Sequence, residues 1–128
     1  MGFMDWVRGS GRERLVEMPT SYGRVEVPVL HIHTANLSPD TDEKIVILTT
    51  TPVVLEELRG MRGAVQFVAH DERAVTFVPS KSAEAPVLDP KHGWIIPVSP
   101  ATARELQALP AGPGEHELES IHLGLVLE

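Results

Sequence analysis

The chain contains no cysteine, so disulfides, thiolate metal sites and a cysteine nucleophile are all excluded. Staples are not needed. One domain of 128 residues can bury about two thirds of the surface that its unfolded chain exposes. No signal-peptide apolar run opens the sequence, because Asp5 interrupts MGFMDWVRGS. Trp6 stands where the myristoylation pattern that starts at Gly2 wants Ser or Thr. No uncharged stretch is long enough to span a bilayer. The missing signal peptide predicts a cytoplasmic protein, and the missing span predicts no membrane partner. No Gly-rich phosphate loop occurs either, so nucleotide hydrolysis has no support.

Positive charge is in short supply and unevenly placed. The net charge is −7. Residues 1–34 balance Arg8, Arg12, Arg14 and Arg24 against Asp5, Glu13, Glu17 and Glu26, so the whole excess lies beyond them. The last sixteen residues carry Glu115, Glu117, Glu119 and Glu128 with no Lys or Arg. An acidic body repels phosphate backbones, which argues against general nucleic-acid binding.

What the sequence does have is a repeated corner. Lys44 to Gly60, KIVILTTTPVVLEELRG, reads as a buried strand turning into a helix. Thr51 supplies a hydroxyl cap and Pro52 a pre-set φ with no amide to satisfy. Leu55 and Leu58 then face inward, and Gly60 ends the helix. Trp94 to Leu109 repeats the grammar with Ser99 and Pro100, and Glu-Leu follows each proline at the same distance (Glu57-Leu58, Glu105-Leu106).

Around these units, residues 1–12 read as a flexible N-terminal segment and residues 13–128 as a single α+β domain. Leu15 to Met18 reads as a short strand. Arg24 to Thr34 reads as a long edge strand with a bulge at Pro28, where the apolar alternation changes phase. Ala64 to His70 and Arg73 to Val78 form a hairpin over Asp71-Glu72. Ser80 to His92 has no period and reads as a loop. Pro110 to Gly114 is a break, and Leu118 to Leu127 closes the chain as one alternating strand. Two β-α-β units, 44–70 and 94–127, predict a ferredoxin-like split β-α-β sandwich with extra N-terminal strands, both helices lying on one face of an antiparallel-rich sheet. A partly open β-barrel with two helices is the alternative.

Five sets of residues are candidates for function. Strand ends feeding helix starts expose amides that favour anions, which makes Thr49, Thr50, Thr51 and Ser99 candidate contacts for a small anionic ligand. The competing role for these hydroxyls is to cap their own helices. His31 and His33 share one strand face and could hold a divalent metal, with Glu115, Glu117, His70 or Asp71 completing the set if the fold brings them close. Asp89 and His92 are neighbours in a loop. The apolar Leu118–Leu127 strand, if at an edge, would pair with a second copy and give a homo-oligomer.

The fifth set rests on a resemblance. Arg8-Gly-Ser-Gly-Arg12 and Asn36-Leu37-Ser38-Pro39-Asp40-Thr41 resemble the R-x-x-x-R and D/N-x-S-x-x-G segments of PilZ domains, with Thr41 at the position of that family's glycine. The resemblance covers about the first third of the chain. It implies a β-barrel that binds cyclic di-GMP through Arg8 and Arg12, with Asn36 and Ser38 beside them. Since no catalytic set assembles from the sequence, the leading expectation is a small non-catalytic binding or interaction module that is homo-oligomeric. A metal-dependent enzyme using His31 and His33 and a PilZ-like cyclic-dinucleotide sensor are the alternatives.

Overall fold

Both hydroxyl–proline corners form as the sequence dictates. The computed structural model describes residues 16–36, 38–40, 43–82 and 85–128. Strand β3 (Lys44–Thr50) leads through Thr51 into helix α1 (Pro52–Arg59), and strand β7 (Gly93–Val98) leads through Ser99 into helix α2 (Pro100–Ala108). Each proline sits in the first helical turn, where its missing amide costs nothing. The other strands are β1 (Gly23–Glu26), β2 (Leu30–Asn36), β4 (Val65–Val68), β5 (Val75–Pro79), β6 (Val87–Asp89), β8 (Gly114–Leu118) and β9 (Leu123–Leu127).

These strands build two sheets, in the orders β1-β4-β5-β7-β6 and β2-β3-β9-β8. Each half of the chain is a hairpin, a helix and a second hairpin: β2-β3-α1-β4-β5, then β6-β7-α2-β8-β9. The halves exchange hairpins. β3 pairs in parallel with β9, and β7 pairs in parallel with β5. The two central registers match under one shift of 48 positions, which carries Val46 to Trp94 and Val75 to Leu123. The same shift carries the Glu128 N–H to Thr50 C=O bond (2.8 Å) onto the Ser80 N–H to Val98 C=O bond (2.9 Å). It also relates the donors of the helix contacts, though not their acceptors. Arg59 Nε donates to the Leu106 carbonyl at 3.2 Å, and Gln107, the counterpart of Arg59, donates through Nε2 to the Arg59 carbonyl at 2.7 Å.

One core serves both sheets and both helices. Leu48 and Leu125 from one sheet, Phe67, Phe77 and Ile96 from the other, and Val54, Leu55 and Leu106 from the helices are all essentially inaccessible. Phe67 and Phe77 meet edge-to-face at 5.9 Å. Each such side chain contributes about 1.5–3 kcal/mol by leaving water. Pro97 is tolerated inside β7 for a geometric reason. Trp94 N–H bonds Ala74 on the β5 side, so the odd-numbered residues point to β6, which has ended at Val87 opposite Ile95.

The topology departs from the ferredoxin-like expectation. In that fold the two strands of a β-α-β unit share one sheet; here β3 and β4 lie in different sheets, as do β7 and β8. Among the described residues no barrel closes. Apolar alternation reveals which face of a strand is buried, not which strand lies beside it. Four local readings change for related reasons. Pro28 is no bulge but the point where the chain leaves one sheet for the other, between β1 and β2. Residues 16–18 form no strand; Leu15 lies outside the described residues. Part of the aperiodic loop is the short strand β6. The segment from Leu118 to Leu127 is the end of β8, a turn and β9. Because β9 runs between β3 and β8, it is internal and offers no edge for a second copy.

Candidate functional site

A sheet that does not close leaves strand edges, and their chemistry differs here. Among the described residues β1, β6, β2 and β8 end the two sheets. Three of them are blunted against pairing. β1 has four residues, including Arg24 and Glu26, and runs into Pro28. β6 has three and ends at Asp89-Pro90. β8 carries Glu115 and Glu117. Short length, charge and proline are the usual protections of an edge. β2, LHIHTAN, has seven residues with no proline and no Asp, Glu, Lys or Arg.

The register shows which peptide groups of β2 are free to pair. Val46 N–H bonds the His122 carbonyl, and the Thr50 carbonyl accepts from Glu128, so the even-numbered residues of β3 turn toward β9. The odd-numbered residues therefore face β2, where they oppose His31, His33 and Ala35. The peptide groups of Leu30, Ile32 and Thr34 are left pointing outward from the edge. Beside it run two adjoining depressions that share Thr34 and Trp94. One, of about 390 Å³, has a mainly apolar wall that includes Val46 and Ile121, with Lys44 and His122 at its rim. The other, of about 530 Å³, lies between His31 and His33 on β2, Asp71, Glu72 and Arg73 after β4, and Leu88 on β6. Leu88 is 44% exposed, and Ile32 and Trp94 are half-buried. The open edge is thus flanked by apolar surface.

The histidine pair takes the predicted geometry. His31 and His33 are both exposed on one face of β2, with ring centroids 5.7 Å apart. The other expected ligands do not join them. Glu115 and Glu117 lie on β8, three strand spacings away in the same sheet, or about 14 Å. His70 Nε2 lies 3.2 Å from Asp71 Oδ2. Asp71 faces the same depression as the pair, but among the described residues no three His, Asp or Glu side chains come close enough to hold one ion.

The hydroxyls at the helix starts have separate fates. Thr50 Oγ1 donates to the Val29 carbonyl at 2.6 Å, fixing the crossing between the sheets. Ser99 Oγ accepts from Thr102 N at 3.2 Å and caps α2. Thr51 makes no such cap, and its Oγ1 is buried without a partner. Thr49 is half-buried on β3. Asp89 spends its carboxylate on the turn, accepting from Lys91 N at 2.7 Å and His92 N at 3.0 Å. These amides, with His92 alongside, hold its carboxyl below the usual range. Of the PilZ-like residues, Arg8 and Arg12 lie outside the described residues. Asn36 closes β2 with its side-chain oxygen accepting from Lys44 Nζ, and Ser38 Oγ accepts from Asp40 N at 3.4 Å.

One polar network had no signal in the sequence. Glu105 on α2 accepts from the amides of Glu119 (2.8 Å) and Ser120 (2.9 Å) and from the Ser120 hydroxyl. Ser120 continues to Thr102 (2.7 Å) and Thr102 to Ser99 (3.1 Å). Burial pushes the Glu105 carboxyl up, but these hydrogen bonds outweigh it and hold the group below its ordinary value. The network ties α2 to the β8–β9 turn, whose residues Ser120, Ile121 and His122 line the smaller depression. No helix among the described residues is long and apolar enough to cross a membrane. No protein-family model and no curated protein matches the chain.

Proposed function

We propose that this protein is a non-catalytic interaction module whose working surface is the open edge of β2, and that its occupant is β2 of a second copy. The observation that carries the reading is the contrast among the four edges: β2 alone is long and free of charged residues and proline. An added strand pairs with the outward peptide groups of Leu30, Ile32 and Thr34. It also covers Leu88, Trp94 and Ile32, the apolar surface beside that edge. A homodimer built this way is isologous and extends the four-stranded sheet to eight strands. The interface is small, so association is expected on the order of micromolar.

Size-exclusion chromatography with light scattering across a concentration series tests this. The wild type should shift from monomer to dimer. Thr34→Lys, an exposed change that places a charge on the edge, should stay monomeric. A wild type that remains monomeric at high concentration, or a dimer indifferent to Thr34→Lys, overturns the reading.

A further inference from the structure

Pairing through β2 has a chemical consequence at its centre. The dyad of an antiparallel strand pair can pass through residues whose peptide groups point outward, and Ile32 is the middle one of the three on this edge. With Ile32 opposite its own copy, Leu30 faces Thr34, and His31 of each chain stands directly across from His33 of the other. Those two cross-strand pairs are of the non-hydrogen-bonded kind, whose Cβ atoms are about 4.5–5.5 Å apart. Opposed residues of an antiparallel pair lie on the same face of the sheet. Within one chain the two rings are already 5.7 Å apart on the exposed face. Four imidazoles therefore gather in one patch.

We infer that this patch is a divalent transition-metal site of the zinc class, formed by His31 and His33 of both copies and incomplete in either copy alone. Resting on the β2 pairing proposed above, it explains how a His-x-His strand can serve a metal when, among the described residues, no third ligand is close within one chain. Neutral imidazole is the preferred nitrogen ligand for zinc, at about 2.0–2.1 Å, and four donors complete a tetrahedral shell. Two rings whose centroids lie 5.7 Å apart need only side-chain rotation to aim at a common ion. With no position left for water, such a site is structural, and its effect is to strengthen the dimer.

The test is calorimetric titration with zinc chloride alongside sedimentation of the full chain with and without zinc. Zinc should bind at one ion per two chains. At one hundred times its dissociation constant it should tighten the dimer about 100-fold. His31→Ala and His33→Ala, both at exposed positions, should each abolish the zinc response. A wild-type dimer that ignores zinc, or a response unchanged in His33→Ala, overturns the metal site and leaves the β2 pairing standing. A chain that is monomeric with and without zinc overturns both.

Discussion

Replacing Glu105 by Gln tests whether the second half of the fold is held by one carboxylate. The carboxylate accepts three hydrogen bonds: two backbone amides at 2.8 and 2.9 Å and the Ser120 hydroxyl. Glutamine keeps one oxygen but turns an NH₂ group toward an amide donor, so at least one bond is lost and the charge assistance disappears. Hydrogen bonds to charged groups are worth about 1.5–3 kcal/mol, reduced here because the group is partly in contact with solvent. The expected cost is about 1–2 kcal/mol, or a fall in Tm of about 4–8 °C for a domain of this size. The matched control is Glu57→Gln. Glu57 stands 48 positions earlier, is exposed, and should change stability by less than about 0.5 kcal/mol. The pH dependence follows from the lowered Glu105 carboxyl. Its stabilisation is complete above the ordinary glutamate value of the unfolded chain and is lost as pH falls through the lower folded value. Urea melts of both variants at neutral and acid pH measure this. If Glu105→Gln matches Glu57→Gln at neutral pH, or if its deficit persists unchanged into acid, the network is not what holds the turn.

The two helix caps should respond with opposite signs. Ser99→Ala removes a real cap and should cost about 0.5–2 kcal/mol in denaturant unfolding; Thr51→Val removes a buried hydroxyl that bonds nothing and should raise stability by about 1 kcal/mol. Gly93 has φ +86°, and a Cβ there would lie 2.4 Å from the Ala74 carbonyl oxygen, so Gly93→Ala should lower stability by about 2–3 kcal/mol in thermal melts. Phe67→Ala, at a site with no solvent exposure, should cost about 3–5 kcal/mol in urea unfolding.

The corners were legible because their signals are local: a hydroxyl, a proline and an apolar strand before them force a strand–helix junction wherever they sit. The doubling was legible for the same reason, in the shared spacing of Pro52 with Glu57-Leu58 and Pro100 with Glu105-Leu106. Strand neighbours were not. The phase change at Pro28 fits a bulge or a change of sheet equally well, and only the pairing of β1 with β4 and of β2 with β3 decides between them. The turn at residues 119–122 contains no Gly or Pro, so the alternation of Ile121, Leu123, Leu125 and Leu127 ran across it unmarked. His122 supplies the positive φ there (+30°) that a glycine would have advertised. The histidine pair was visible as strand spacing, but the distance to Glu115 and Glu117 depends on strand order. The Glu105 network joins a helix to a turn 15 residues away, beyond any local pattern.

The 48-residue correspondence also shows how the halves have divided their work. Ser99 caps its helix, and its counterpart Thr51 does not. Glu105 anchors a turn, while its counterpart Glu57 faces solvent. β4 is covered by β1, whereas β8, in the matching place, has among the described residues no strand beyond it and carries two glutamates instead. β6 and β2 are the remaining matched edges; one is cut to three residues and the other runs to seven. Two copies of one unit must leave the same edges bare, so each edge has to be dealt with separately by whatever residues stand there. Three have been covered, charged or shortened. Edge protection is inexpensive in sequence, needing only a lysine, a glutamate or a proline. A full-length strand that has acquired none of them, beside Trp94 and Leu88, is what the β2 pairing proposed above accounts for.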